Sequence, residues 1–238
     1  MENSDTPVQA RFVTFEGGEG VGKTTQIRHL QDNLARVGVT AVKTREPGGT
    51  PKAEAVRSFI LQGRSEDWGA GAEAVLFAAA RHDHVTQMIV PNLDSGKWVL
   101  SDRFADSTRA YQGLTSGVDD GMIDALEELA LEGHHPDLTI LLDMDPEFAF
   151  QRVEQRAKED GIPNVADRFE KESLEWHRRL RDGFLTIAVK NPGRCVIVSA
   201  EDDENTIAEE IWRVTRDRFP ELADRAPNSH EGSNGSGD

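Results

Sequence analysis

One short loop constrains the fold of this chain more than any other stretch. Residues 17–24 read Gly-Gly-Glu-Gly-Val-Gly-Lys-Thr, which fits the pattern G-x-x-x-x-G-K-[ST]. A β-prone run precedes the loop, and apolar residues at helical spacing, Ile27, Leu30 and Leu34, follow it. Glycines let the backbone turn so that successive N–H groups face one concavity, and the following helix adds the positive end of its dipole. The sequence therefore predicts a strand, a phosphate-binding loop and a helix in that order.

The phosphate-binding loop predicts a nucleoside triphosphate and Mg²⁺ as ligands. We expect it to surround the phosphates through Gly17, Gly18, Glu19, Gly20, Val21, Gly22, Lys23, Thr24 and Thr25. Lys23 would reach the β- and γ-phosphates, which makes it a catalytic candidate, and the Thr24 hydroxyl would bind Mg²⁺. The alternative is a glycine-rich turn with an incidental lysine.

The composition limits the remaining possibilities. At 238 residues the chain is long enough for one α/β domain with a sizeable core. No apolar run approaches the roughly 18 residues of a membrane-spanning helix, and residues 1–9 lack the basic and apolar regions of a signal peptide. With Cys195 as its only cysteine, the chain can form no intrachain disulfide, which predicts a reducing, cytoplasmic setting. The formal net charge of −16 argues against general nucleic-acid binding.

Strands and helices are predicted to alternate along the chain. β-prone runs occupy residues 11–16, 39–44, 98–101, 138–142 and 194–199. Helical patterns occupy residues 23–37, 53–61, 69–93, 106–115, 119–132, 145 onward, 169–189 and 204–219. This alternation predicts an α/β fold of the P-loop NTPase type, with a five-stranded parallel sheet flanked by helices in three αβα layers.

The predicted domain covers residues 11–219. Within it, the charged residues 152–167, interrupted by Gly161 and Pro163, are predicted to form a mobile lid. The polar N-terminus, residues 1–10, and the acidic tail, residues 220–238, are predicted to be disordered.

Charged side chains at strand ends are candidates for ligand contacts, because parallel sheets bind ligands at the carboxyl ends of their strands. Several such ends carry one: Glu16, Arg45, Asp102 and Asp143. The Asp102 carboxylate suits Mg²⁺, directly or through water, although it could instead cap a helix. Arg45 and Arg103 carry forked guanidinium groups that can clamp a phosphate, although Arg45 could instead form a salt bridge to Glu46 or another acid.

Other segments distinguish among proteins with a phosphate-binding loop. The D-x-x-G and N-K-x-D motifs of signalling GTPases do not occur in the sequence, and a motor or transporter ATPase would need more chain. The informative segments are Thr-Arg-Glu-Pro-Gly-Gly-Thr at 44–50, Leu-Phe-Ala-Ala-Ala-Arg at 76–81, Asp-Arg-Phe at 102–104, Ala-Tyr-Gln-Gly at 110–113, Leu-Asp at 142–143 and Asp-Arg-Phe-Glu at 167–170. Together with the phosphate-binding loop, they resemble the thymidylate kinase family.

The resemblance covers residues 11–219 and implies an activity. A thymidylate kinase transfers a phosphate from MgATP to dTMP, which supplies dTDP for dTTP synthesis, and it forms a homodimer through long helices. The implied partners are thus ATP, dTMP and a second copy of the chain, with no nucleic acid and no membrane. One alternative is another P-loop nucleoside or nucleoside monophosphate kinase. The other is a nucleotide-binding regulator without activity, against which the intact Lys23, Asp102 and Arg103 argue.

The resemblance also implies a dTMP site. Its members here would be Glu19, Arg45, Phe77, Arg81, Arg103, Ser107, Thr108, Tyr111 and Gln112. Arg45 and Arg103 would hold the dTMP phosphate. Phe77 would stack on the thymine and Arg81 would hydrogen-bond its O4, and their spacing of four residues puts them on one helix face. The family often has an acid where this chain has Ala80, which leaves the support of Arg81 open.

The sugar would be read by further members of this set. Tyr111 would pack below the sugar at C2′, where a ribose hydroxyl would clash, so deoxynucleotides would be preferred. Glu19 would accept a hydrogen bond from the 3′-OH, and Ser107 and Gln112 would lie near the base. Without the resemblance, the sequence favours a core position for Phe77. Tyr111 could also be a core residue, and Glu19 could face solvent.

Position 20 separates two branches of the family. One branch has a basic residue there, and the other has glycine and supplies an arginine from the lid, which is the branch that Gly20 indicates. We therefore expect Arg156, or otherwise Arg152, to reach the transferred phosphate, although a charged helix can also be simply solvated. His82 and His84 are two residues apart on a predicted helix and face different directions, so they do not predict a metal site.

Overall fold

The computed structural model describes residues 8–160, 168–222 and 225, and for residues 156–160 it describes the backbone alone. Within that part of the chain, five parallel strands form one sheet in the order β2-β3-β1-β4-β5. They are β1 Phe12–Glu16, β2 Ala41–Arg45, β3 Trp98–Asp102, β4 Leu138–Asp143 and β5 Cys195–Ser199. The predicted sheet is confirmed. The central strands are almost continuously buried, as expected where helices cover both faces.

The strand register brings the candidate ligand-binding residues to one edge of the sheet. Phe15 of β1 pairs with Asp102 of β3, and Asp102 in turn pairs with Arg45 of β2. The loops that follow these strands therefore leave the sheet side by side, at its carboxyl edge.

Helices connect the strands and cover the sheet. They are α1 Lys23–Arg36, α2 Pro51–Leu61, α3 Gly69–His84, α4 Val90–Asp94, α5 Ala105–Thr108, α6 Asp120–Leu131, α7 Pro146–Asp160, α8 Leu174–Lys190 and α9 Glu204–Arg218. π-helical turns follow α3 at Val85–Ile89 and α5 at Arg109–Thr115, and 3-10 turns lie at Glu66–Trp68, Phe169–Lys171 and Pro220–Leu222.

Local capping explains where two of these helices begin. The Thr50 hydroxyl accepts a hydrogen bond from the backbone N–H of Ala53 at 3.1 Å, and Pro51 fits the first turn of α2. Ser173 caps α8 in the same way, through the N–H of Trp176. Helix α8 therefore begins at Leu174, later than the residue 169 predicted from the pattern.

Both faces of the sheet are buried against helices, which gives the three predicted layers. On one face, α1 and α9 pack Leu30 and Ile211 around Trp98. On the other face, α3, α5 and α8 contribute clusters that include Phe104 and Phe184.

The prediction that both ends of the chain are disordered is wrong for the residues that lie next to the domain. Val8 packs against the core, and the Trp98 indole donates to the carbonyl of Gln9 at 3.0 Å. Leu222 is 1% exposed and belongs to the core, although the predicted tail begins before it. These apolar side chains enter a core that local composition does not reveal. The rest of the predicted tails, residues 1–7, 223–224 and 226–238, lies outside the described residues.

The predicted lid, residues 152–167, begins as a helix. Helix α7 continues to Asp160, and residues 161–167 lie outside the described part of the chain. Among the helices that are described, none is long and apolar enough to cross a membrane.

Candidate active site

The phosphate-binding loop joins β1 to α1, as predicted. Gly20 and Gly22 adopt positive φ angles of 73° and 91°, a conformation that glycine takes without strain. The Lys23 ammonium turns back onto the loop and donates to the carbonyls of Gly18 at 2.7 Å and Gly17 at 3.2 Å. Burial lowers the pKa of Lys23 and nearby Arg103 lowers it further, against the opposing effect of acidic neighbours. The loop thus holds a buried cation at the start of α1.

Gly20 lies directly against α7. A Cβ at this position would be 2.7 Å from the Val153 side chain and 3.0 Å from the Ala149 carbonyl oxygen. A side chain at position 20 is therefore excluded, and no cation can come from the loop at this point.

Thr24 and Asp102 bring two oxygen ligands together. The Thr24 hydroxyl donates to the Asp102 carboxylate at 2.7 Å, and both side chains line the same cavity. A hydroxyl and a carboxylate leave most coordination positions for water and phosphate, which is what Mg²⁺ prefers. The pair therefore fits this ion, and the described residues contain no cluster of three or more His, Cys, Asp or Glu side chains that would form a protein-only metal cage.

Arg103 spans from the end of β3 to the phosphate-binding loop. Its backbone has a positive φ of 70°, which is uncommon for a residue with a side chain. Its guanidinium donates to the Gly17 carbonyl at 3.0 Å, to the Ser107 hydroxyl at 3.2 Å and to the Glu19 carboxylate at 2.7 Å. Burial opposes the charge on Arg103, but Glu19 and other neighbouring acids raise its pKa. It is a fixed cation.

Glu16 holds the strained turn that presents Arg103. This carboxyl is 1% exposed and accepts hydrogen bonds from the backbone N–H of Phe104 at 2.8 Å and the Ser107 hydroxyl at 2.6 Å. Burial raises the pKa of Glu16 to about 8, and the nearby Asp106 adds to the rise. The sequence placed Glu16 at a strand end but gave it no role.

Glu19 is anchored on Arg103 and Tyr111. Its carboxylate receives hydrogen bonds from the Arg103 guanidinium and, at 2.6 Å, from the Tyr111 hydroxyl. Burial would raise the pKa of Glu19, but Arg103, Lys23 and these hydrogen bonds lower it to about 2. Glu19 is therefore an ionised hydrogen-bond acceptor inside the cavity. Phe169, which the sequence assigned only to the lid exit, packs edge-on against Tyr111 and lines the cavity as well.

Arg81 is supported from a distant loop. Its guanidinium donates to Glu46 at 2.7 Å, to the Phe104 carbonyl at 3.1 Å and to the Thr108 hydroxyl at 3.0 Å. Glu46 thus supplies the acid that the sequence lacks at Ala80. Phe77, one turn earlier on α3, is half-buried and lines the same cavity.

Arg45 forms the salt bridge that was predicted as its alternative role, and the acid is Glu54, not Glu46. Its guanidinium contacts both oxygens of Glu54 at 3.1 Å and remains largely exposed. Arg57, which sequence reasoning missed, also lines the cavity and donates to the Pro47 carbonyl at 3.1 Å. A sequence signal could have identified Arg57. It lies one turn after Glu54 on α2, and Glu54 and Arg57 share a helix face with Leu61, another cavity residue.

Of the two lid arginines predicted to reach the transferred phosphate, Arg152 and Arg156, the structure describes the side chain of Arg152 alone. Arg152 lines the cavity, but its guanidinium donates to three successive carbonyls after β5, those of Ala200, Glu201 and Asp202, at 2.6, 2.9 and 2.9 Å. The side chain of Arg156 lies outside the described part of the chain.

One cavity of about 740 Å³ collects these side chains. From the phosphate-binding loop and its ligands it takes Glu19, Gly20, Val21, Gly22, Lys23, Thr24, Thr25 and Asp102. From the predicted dTMP site it takes Arg45, Phe77, Arg81, Arg103, Ser107, Thr108, Tyr111 and Gln112. Gly17 and Gly18, also predicted to surround the phosphates, do not line this cavity. Their carbonyls accept hydrogen bonds from Lys23. A phosphate-binding loop thus faces a second set of cations and aromatic side chains across one space.

Comparisons with known proteins agree with this geometry. A family model described as thymidylate kinase matches residues 15–211. A thymidylate kinase of Nitrobacter hamburgensis is 48% identical over 211 residues, which covers 89% of this chain and 90% of that protein. One of Bradyrhizobium diazoefficiens is 47% identical over 221 residues, covering 91% and 95%. The crystal structure of thymidylate kinase from Ehrlichia chaffeensis superposes with a TM-score of 0.69 at 34% identity, covering 87% of this chain and 98% of that one.

Proposed function

This chain belongs to the thymidylate kinase family, and we propose how its own residues perform that family's reaction. The enzyme phosphorylates dTMP to dTDP with ATP as the phosphoryl donor, a step in dTTP synthesis. The observation that carries the residue assignments is the shared cavity, in which the phosphate-binding loop faces Arg45, Phe77, Arg81 and Arg103.

ATP binds at the phosphate-binding loop. The backbone N–H groups of the loop and the N-terminus of α1 receive its phosphates, and Lys23 leaves the Gly17 and Gly18 carbonyls to contact them. Thr24 and Asp102 would hold Mg²⁺, which neutralises charge on the β- and γ-phosphates when bound. The 2.7 Å contact between these two side chains supports that assignment.

The dTMP phosphate binds between Arg103 and Arg45. Arg103 is buried and tethered to the loop, so it orients the phosphate, whereas the more exposed Arg45 must exchange its contact with Glu54 for one with the substrate. Glu19 accepts a hydrogen bond from the 3′-OH of the sugar, and its ionised state supports that role. Tyr111 packs below C2′ and selects deoxyribose.

The base occupies the far part of the cavity. Phe77 stacks on the thymine ring, and Arg81 donates to O4. Thr108 is already engaged by Arg81, so it acts on the base through that side chain. Ser107 and Gln112 complete this part of the site. The half-burial of Phe77 and its place on the cavity wall favour stacking over a core role.

Phosphoryl transfer requires alignment and charge neutralisation more than covalent help. A phosphate oxygen of dTMP attacks the γ-phosphorus in line while the bond from that phosphorus to the β–γ bridging oxygen breaks, so ADP leaves. No general base is needed because the dTMP phosphate is already ionised. A lid arginine completes the neutralisation, and such a cation contributes on the order of 10³ to 10⁵ in rate. Because a side chain is excluded at Gly20, the arginine that contacts the transferred phosphate must come from the lid. Arg152 is already bound to three carbonyls, which favours Arg156 for this role.

The enzyme is proposed to act as a homodimer through α3 and α6. These helices run side by side in the same direction: the position of a Cβ at Gly71 is 3.8 Å from Met122, and His82 lies 3.8 Å from Glu132. Their outer face carries large exposed apolar side chains, namely Val75, Met122 and Leu129. Such a stripe is suited to a second copy of the chain. A cytoplasmic location is proposed because the only cysteine is free and buried.

The proposal is tested by measuring ADP release with a panel of phosphoryl acceptors: dTMP, dUMP, AMP, CMP and free thymidine. We expect dTMP to give the highest kcat/KM. Higher turnover with AMP or CMP would identify a different nucleoside monophosphate kinase, and release with none of them would identify a nucleotide-binding regulator.

A further inference from the structure

Three groups of the protein bind the guanidinium of Arg81 and leave one of its nitrogen atoms available to a ligand. Its Nε and Nη2 atoms donate to Glu46, the Phe104 carbonyl and Thr108. Arg81 is 4% exposed and lines the cavity, and the donors that these bonds leave over are those on Nη1. A guanidinium has donors only, so the position can match a carbonyl on a base and opposes an amino group.

Glu46 is the fixed point of this arrangement. It follows β2 directly, and its backbone N–H donates to the Asp102 carbonyl at 2.9 Å, so it continues the sheet. Its side chain is 4% exposed, with one carboxylate oxygen on Arg81 and the other 2.9 Å from Nδ1 of His84. Since both oxygens accept, Nδ1 of His84 is the donor.

His84 connects Glu46 back to the sheet. Its side chain is fully buried one turn after Arg81 on α3, and its Nε2 lies 2.6 Å from the Thr44 hydroxyl. The loop closes tightly over this contact, because a Cβ at Gly49 would be 2.5 Å from Nε2 of His84. Thr44, His84, Glu46 and Arg81 therefore form an unbroken chain of hydrogen bonds between β2 and the cavity.

Burying a carboxylate between a guanidinium and an imidazole contributes little net stability, because all the groups lose water. What the arrangement does contribute is a fixed orientation of the Arg81 guanidinium. We propose that Glu46 and His84 are positioning residues that aim Arg81 at a carbonyl oxygen of the base, and thereby set the preference for thymine over cytosine. This inference rests on the proposed function, in which Arg81 meets the base.

We expect the positioning role to show in a comparison of dTMP, dUMP and dCMP as substrates. Cytosine carries an amino group where thymine and uracil carry O4, so a misaligned Arg81 loses its advantage with dTMP and dUMP alike, and loses its rejection of dCMP. The ratio of dTMP to dCMP should change, and the ratio of dTMP to dUMP should not, since the missing methyl group is read elsewhere.

The test uses the full chain with two variants. His84→Asn keeps a donor near Glu46 but cannot reach Thr44, and Glu46→Gln removes the charge while keeping the shape. We expect the dTMP:dCMP ratio of kcat/KM to fall about tenfold in each, the low end of the effect of a misplaced charged hydrogen bond. The loss with dTMP should lie in KM, with kcat changed by less than about threefold. His82→Asn, two residues away and outside the cavity, is the matched control.

An equal loss with all three substrates, or an unchanged dTMP:dCMP ratio in a folded variant, would overturn the positioning role. If His84→Asn does not fold, Glu46→Gln decides alone. The wild-type reaction with dTMP, run alongside, reports on the proposed function separately, because a wrong positioning role still leaves the wild type active.

Discussion

Replacing Arg103 by lysine keeps the charge and removes the fork. Arg103 reaches the Gly17 carbonyl with Nη1 at 3.0 Å and the Glu19 carboxylate with Nη2 at 2.7 Å. Lysine carries all its donors on one nitrogen, so it cannot span those two groups and also meet a phosphate with two hydrogen bonds.

The expected loss follows from the contacts removed. Two charge-assisted hydrogen bonds disappear, one to Glu19 and one to the dTMP phosphate, each contributing about 1.5–3 kcal/mol. Because lysine restores part of one of them, we expect a net loss of about 3–4 kcal/mol, which is a decrease of roughly 100- to 1,000-fold in kcat/KM for dTMP.

The assay is coupled ADP release, with dTMP varied at saturating ATP and then ATP varied at saturating dTMP. The KM for ATP should stay within about threefold of the wild-type value. Arg109→Lys is the matched control, because Arg109 binds Asp124 and Glu127 and does not line the cavity. If Arg103→Lys folds normally and keeps kcat/KM for dTMP within about tenfold of wild type, the forked contact is not what holds the phosphate.

Three further predictions address other parts of the site. Lys23→Ala should abolish turnover while dTMP binding, measured by calorimetry, persists; full activity would refute the role of the loop. Arg156→Ala should lower kcat far more than it changes KM, and an unchanged kcat would move that role to Arg152. Glu16 binds its proton more tightly in the folded protein, since its pKa rises from 4.5 to about 8. Its contribution to the free energy of unfolding is therefore full below about pH 4.5 and is lost as the pH rises towards 8. Glu16→Gln has no proton to lose, so denaturant titrations at pH 5.5 and 8.5 should show a smaller decrease for the variant; parallel decreases would contradict this reasoning.

Much of the fold and of the cavity could be predicted because the signals are local. The glycine pattern of residues 17–24 requires a strand before it and a helix after it, and both are present. Parallel strands end at one edge, so Arg45 and Asp102 could be expected to lie together, and they are register partners. The family resemblance then indicated that the helix faces carrying Phe77 and Tyr111 line the same cavity, and both residues do line it.

The supporting contacts could not be predicted, because they join residues far apart in sequence. Arg81 and Glu46 are separated by 35 positions, and Glu16 and Ser107 by 91. Periodicity indicates which face of an element is buried but not which buried carboxylate meets which donor. For the same reason, the order of residues 8–10 and the burial of Leu222 were missed, since both depend on a core assembled from distant elements.

Calorimetry tests most directly whether the two nucleotides meet in one cavity. The ligand is a single molecule that joins adenosine and thymidine through a chain of phosphates long enough to replace both substrates. We expect one such molecule to bind per chain in the presence of Mg²⁺, more tightly than ATP or dTMP alone, and to displace both. If dTMP still binds at full stoichiometry to protein saturated with this molecule, the two nucleotides do not meet in one cavity, and the assignment of Arg103 and Lys23 to a shared reaction centre is wrong.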